Sequence, residues 1–302
     1  MSKNNIFPVR ELQVQQNYTD HLKQTHLKAK LPPLSDEEKA RPFAKYYYED
    51  IPAPDPVHYS CMDKPCDPAL ALPPEKMNDL LNPGYLDIEI GWCNLPNGAG
   101  VIANKIVYPD ITAEMIDWWF SWHPLEDLRY RIWYPPQHGG LMVSPENRKR
   151  LLDESIPLSE RNWGVIHHVT EDTNTGMSNI DIHFMSPTEF GFDMTRWKKP
   201  FVATVACGQG WVIPVEKTDD SITAPAMMCH IFRETPEGLE HRTRFWLGYR
   251  LVNGRPELTL PPGARIPESE IQGLARHNVC EFTRFKSFLP RIYNEFDGQM
   301  IV

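Results

Sequence analysis

Six segments of strand character follow one another between residues 162 and 252, and only then does one long helical stretch open at Pro267. Residues 162–171, 178–185, 201–206, 211–215, 224–233 and 240–252 are apolar or alternate with period two, as half-buried strands do. Strands that succeed one another without intervening helices pair antiparallel, so the chain is α+β and not α/β. Upstream, residues 85–92 and 100–108 form a predicted hairpin around Asn97-Gly98. Thr112 caps a helix that runs to about His123 and stops at Pro124. Ser186-Pro187-Thr188-Glu189 has the Ser, Pro and Glu of a capping box and opens a short helix between two strands. The final helix runs from Pro267 to about Leu289 and is bounded by prolines. Together these elements predict a helix-grip arrangement, a curved antiparallel sheet wrapped around a long helix with a cavity between them.

The first ~80 residues differ in kind: they are polar, interrupted by Pro32, Pro33, Pro52, Pro54, Pro56, Pro73 and Pro74, and carry one aromatic run, Tyr46-Tyr47-Tyr48. We read residues 1–83 as a small N-terminal helical domain or arm, and residues 84–302 as the main domain. The formal charge of −9 and the lack of a basic stripe argue against nucleic acid as a partner. No stretch approaches the ~18 consecutive apolar residues of a membrane span, and the N-terminus lacks the apolar core of a signal peptide. A cytoplasmic protein without a membrane partner is expected. The six cysteines follow no framework spacing; Cys61 and Cys66 form one close pair with no second pair behind it, so reduced thiols are expected.

The chemistry is concentrated in few residues. His277 and Glu281 stand four apart on the final helix and so project from one face, continued by Phe285 and Phe288. Alternation in 162–171 turns Trp163, Val165, His167, Val169 and Glu171 to one, mostly apolar, side. The same logic turns His230 inward with Met228 and Phe232, and His241, Thr243 and Phe245 inward, with Arg242, Arg244 and Arg250 facing solvent. A buried carboxylate is costly unless it is paired or bound to a metal. Glu171, His277 and Glu281 therefore suggest a site for a divalent cation, zinc first and manganese or iron second. Candidates for a fourth ligand are His123, His138, His167, His168, His183 and His230. His138 sits in Tyr134-Pro-Pro-Gln-His-Gly-Gly, a constrained loop that suits a ligand. Set against this, an isolated His/Glu pair at this spacing more commonly forms a surface ion pair, and a helix-grip domain can carry hydrophobic ligands without chemistry.

The block from Trp118 to Trp133 (WWFSWHPLEDLRYRIW), then His138, then Asn162 to Glu171 (NWGVIHHVTE), then His277-x-x-x-Glu281, resembles the carbon–carbon hydrolases that act on acyl-phloroglucinols, the phloretin and 2,4-diacetylphloroglucinol hydrolases. The similarity spans roughly residues 85 to 290. It implies a Bet v 1-like helix-grip domain, a smaller N-terminal domain used in homodimer contacts, and one Zn2+ on His138, Glu171, His277 and Glu281. It also implies that Tyr130 contacts substrate and that His230 lines the pocket. The acid–base work then falls to His230 and Tyr130, with His123 behind them. Leu141 and Phe245 stand where diacetylphloroglucinol hydrolases carry Asn and Tyr, which favours a longer, more apolar acyl group such as that of phloretin. A cyclase or dehydratase of similar fold would need no zinc.

Overall fold

The computed structural model describes residues 31–197, 200–214 and 224–301. Residues 1–30 of the expected N-terminal domain, and Val215 at an expected strand end, lie outside the described residues. Among the described residues, eight strands form one antiparallel sheet: β1 (Gly91–Asn94), β2 (Gly100–Tyr108), β3 (His138–Met142), β4 (Ile166–Asp172), β5 (Met177–Met185), β6 (Thr204–Pro214), β7 (Pro225–Thr235) and β8 (Gly238–Leu247). Their order across the sheet is β1-β2-β8-β7-β6-β5-β4-β3. A two-stranded ribbon, β9 (Tyr249–Val252) with β10 (Arg255–Leu258), follows. The α-helices are α1 (Asp36–Lys39), α2 (Pro56–Ser60), α3 (Ala113–Trp122), α4 (Asp127–Arg131), α5 (Pro145–Leu151), α6 (Pro187–Phe190) and α7 (Glu268–Glu295).

The α+β architecture with a large antiparallel sheet follows the sequence reading, and several boundaries move. Of the segments expected at 201–206 and 211–215, residues 204–206 and 211–214 belong to one strand, β6, because Gly208 and Gly210 stay in register with both neighbours. The segment expected at 240–252 breaks at Gly248, which has a φ of 90° and sends the chain into the ribbon. The first hairpin begins only at Gly91. The last helix continues through Pro290 to Glu295.

Helix α7 lies against β1 and β2 and closes one face of the sheet. Its acidic first turn (Glu268, Glu270) complements the helix dipole. The core under it is aromatic: Trp119 of α3 meets Phe285 and Phe288 of α7, and Trp118 stacks on Trp122. The opposite face of β7 and β8 is covered by the chain leading into β1. Met77, Leu80 and Leu81 pack with Met227 and Trp246, whose indole donates to the Leu72 carbonyl at 2.8 Å.

That cover corrects one expectation. Arg242 and Arg244 were expected in solvent, yet both are buried. Alternation places them correctly on the outer face of β8, but residues 72–90 lie over it, and both guanidinium groups close on Glu89. Arg250 is exposed as expected.

Candidate metal centre

Four side chains converge where β3 and β4 meet α7. His138 opens β3 and lies directly across from Glu171 of β4. A bulge at Gly139 follows at once, and Asp127 of α4 secures it by accepting the Leu141 backbone N–H at 2.9 Å. A β-carbon on Gly140 would come within 2.6 Å of the Asp127 carboxylate, so glycine leaves that contact undisturbed. The loop expected over 134–140 is a turn as far as Gln137, while His138–Gly140 open a strand because they pair with β4.

The ligand atoms of His138, Glu171 and His277 all lie within 4.8 Å of one another. Glu281 Oε2 stands 3.6 Å from His138 Nε2 and 3.7 Å from His277 Nε2. Such separations are long for hydrogen bonds. They suit the edges of a coordination tetrahedron, about 3.3–3.5 Å for ligands ~2.0–2.2 Å from the ion. His138 Nε2 is buried and makes no hydrogen bond. A donor set of two imidazoles and two carboxylates around an unsatisfied buried nitrogen fits a divalent cation.

The outer contacts aim each of the four side chains. His138 Nδ1 lies 3.1 Å from the Tyr130 carbonyl and so carries the hydrogen, which leaves the Nε2 lone pair inward. The Tyr130 ring stacks on His138 with centroids 4.1 Å apart, and its hydroxyl donates to Glu171 Oε2. His277 Nδ1 meets Gln137 Oε1 at 3.0 Å, again freeing Nε2. Gln137 donates to Asn174, and Asn174 donates to the Gly273 carbonyl of α7. A β-carbon at Gly273 would stand 2.5 Å from the Thr173 carbonyl, so this helical glycine lets the β4–β5 turn approach. Asn278 donates to Glu281 Oε1 at 3.1 Å and leaves Oε2 for the centre. Asn278 in turn accepts from Asn104 at 2.8 Å, and Asn104 Oδ1 meets His58 Nε2 of α2 at 2.6 Å.

The electrostatics are those of a site that could hold a cation. Burial pushes the Glu281 carboxyl up to about 8, aided by the neighbouring Glu171 and opposed by His277. Burial lowers His138 to about 4 against the pull of Glu171.

The remaining expected residues occupy the same interior. His230 points inward from β7 and is buried, with Phe120, Phe245 and Phe282 around its ring. His123 is buried between Trp119 and His167, and its Nδ1 meets the Trp119 carbonyl at 2.7 Å. Leu141 is buried beside the bulge and Phe245 faces inward from β8. Of the other candidates, His167 is buried and His168 is exposed and bonded to Asp181; His183 lies against Trp211. Sequence reasoning missed Gln137 and Asn278. The only signal would have been their adjacency to His138 and His277.

A family model described as the DAPG hydrolase PhiG domain matches residues 72–294. The chain belongs to this family. Among its relatives, a phloretin hydrolase of Eubacterium ramulus is 31% identical over 267 residues, covering 87% of this chain and 93% of the relative. A 2,4-diacetylphloroglucinol hydrolase of Pseudomonas protegens is 29% identical over 274 residues, 85% of each chain. Membership of the DAPG hydrolase family makes the protein a hydrolase. No helix among the described residues is long and apolar enough to cross a membrane.

Proposed function

We propose that the chain is a zinc-dependent hydrolase that cleaves the carbon–carbon bond between a phloroglucinol-type ring and its ketone acyl group. Phloretin and water would give phloroglucinol and 3-(4-hydroxyphenyl)propanoate; the ring carbon gains a hydrogen and the acyl carbon gains a hydroxyl. The observation that carries the reading is the buried, partnerless His138 Nε2 facing Glu281 Oε2 at 3.6 Å. His138, Glu171, His277 and Glu281 would hold the ion. A bound divalent cation supplies Lewis acidity and lowers the pKa of water at the site.

The chain's own groups do the rest. Tyr130 orients Glu171 and His138 from one side, and its hydroxyl is in direct contact with the Glu171 carboxylate. Burial and the Glu171 charge push its phenol well above the ordinary range, so it works as a hydrogen-bond donor. His230 addresses the substrate from β7, and burial lowers it to about 3, which keeps it uncharged near neutrality. His123 is likewise lowered by burial, to about 3, and supports the aromatic wall. Leu141 and Phe245 offer apolar surface, which favours an aryl-propanoyl chain over a second acetyl group. We also assign the sheet and α7 to the helix-grip type, the enzyme to the cytoplasm, and homodimer contacts to the segment before residue 84. Exposed Tyr48, Val57 and Leu70 support the last.

Zinc-loaded protein incubated with phloretin and, separately, with 2,4-diacetylphloroglucinol tests the reading. We expect phloroglucinol and the aryl-propanoic acid in equal amounts from phloretin, at the higher kcat/KM. Faster turnover of the diacetyl compound assigns that substrate instead, and no turnover of either refutes the activity.

A further inference from the structure

We propose that Tyr108 and His241 are positioning residues that fix His230 as the tautomer with hydrogen on Nε2, so that His230 meets substrate as a hydrogen-bond donor and not as a base. The inference deepens the proposed activity and rests on it for the identity of the substrate. It begins from a buried polar chain that the metal centre does not use. On the inner face of β2, β7 and β8, the Tyr108 hydroxyl lies 2.9 Å from His241 Nδ1. His241 Nε2 lies 3.0 Å from His230 Nδ1 and 2.8 Å from Thr243 Oγ1. Thr243 Oγ1 lies 3.2 Å from His230 Nδ1.

The direction of the hydrogens follows from one end. Tyr108 is wholly buried, and among the described residues its hydroxyl has His241 Nδ1 as its one hydrogen-bond partner. If His241 carried its hydrogen on Nδ1, the phenol hydrogen would be buried without an acceptor and would bear the full desolvation cost. Tyr108 therefore donates to Nδ1, and the His241 hydrogen sits on Nε2. That hydrogen reaches His230 Nδ1 directly, or reaches Thr243, whose hydroxyl then donates to His230 Nδ1. Both routes place a lone pair on His230 Nδ1 and the hydrogen on Nε2.

The surroundings keep the chain uncharged. Phe232 stacks on His241 with centroids 4.4 Å apart, and Phe282 packs on both imidazoles. Burial moves both histidines far below their ordinary range. Burial and the Glu281 charge push the Tyr108 phenol well above its own. The chain thus cannot pass a proton from Tyr108 through His241 to His230 cheaply, because that would leave a buried tyrosinate. A neutral Nε2–H aimed at an oxygen on which negative charge develops is a workable electrophile.

Nitrogen-15 NMR of histidine-labelled wild-type protein, without substrate, tests the tautomer directly. We expect His230 Nε2 and His241 Nε2 to be protonated and His230 Nδ1 to be bare; a protonated His230 Nδ1 overturns the proposal. In Tyr108→Phe we expect mixed tautomers, a kcat about 10- to 100-fold lower, a KM within about twofold of wild type and unchanged metal content. Wild-type kcat in that variant overturns the positioning role. Should Tyr108→Phe not fold, the wild-type spectrum alone decides. If wild-type protein turns over neither phenol, the substrate reading fails while the spectrum still decides the tautomer.

Discussion

The two faces of the same sheet bury carboxylates in opposite ways. On the outer face, Glu89 is held by Arg242 and Arg244, which also reach the carbonyls of Leu80 and Ile88. Glu240 beside it takes Arg233 and the Tyr85 hydroxyl. Despite burial, the two arginines bring Glu89 down to about 2. On the inner face, Glu281 and Glu171 meet imidazole nitrogens with no cationic side chain among the described residues to balance them, and burial brings Glu281 up to about 8. A buried charge that the protein itself completes is architecture. A buried set left uncompleted points to something the protein binds.

Breaking the inner set should have the largest effect on function and little on folding. Glu281→Ala or His277→Ala should lose the metal and lower turnover by about 10³-fold or more, since a bound ion would take several kcal/mol off the barrier. Circular dichroism should still show a folded protein; full metal occupancy with normal turnover would refute the ligand assignment. Breaking the outer set should do the reverse. Glu89→Ala leaves two buried guanidinium groups unbalanced and should cost about 3–5 kcal/mol of stability. Denaturant titration would show this, with the folded fraction still binding one metal per chain.

Smaller effects sharpen the contrast. Gln137→Ala and Asn278→Ala remove partners that orient His277 and Glu281, and should weaken metal affinity about 10- to 100-fold without abolishing it. Competition with a chelator measures this, and unchanged affinity would deny these amides an orienting role. The pH response should also split. Glu89 has a lowered folded pKa, so its contribution is present above the ordinary carboxylate value near 4.5 and is lost as pH falls from there toward about 2. Glu281 has a raised folded pKa, so in metal-free protein its contribution is present below about 4.5 and is lost as pH climbs through about 8. Tm against pH for metal-free wild type and Glu281→Gln should therefore diverge toward alkaline pH; parallel curves would contradict the assignment.

Much of this was legible from residue spacing, and what was not has physical reasons. The His277/Glu281 stripe and inward-facing Glu171 follow from helical and strand periods, which are local. Those periods report which face a residue takes and are silent about what covers it. Arg242 and Arg244 are therefore buried against expectation, because the alternation of β8 carries no information about residues 72–90, which cover them. Strand β3 was hidden because Gly139 and Gly140 lower strand propensity, and only pairing with β4 and the Asp127 contact reveal why they are needed. Gln137 reaches His277 across 140 positions of sequence, and no local rule encodes such a bond.

The most direct test is anomalous diffraction from a crystal of the chain, measured across the zinc edge. A single peak lying about 2.0–2.2 Å from His138 Nε2, His277 Nε2 and the Glu171 and Glu281 carboxylates is predicted. Crystals of protein that hydrolyses its substrate at full rate, with no peak among those four side chains, would contradict the account.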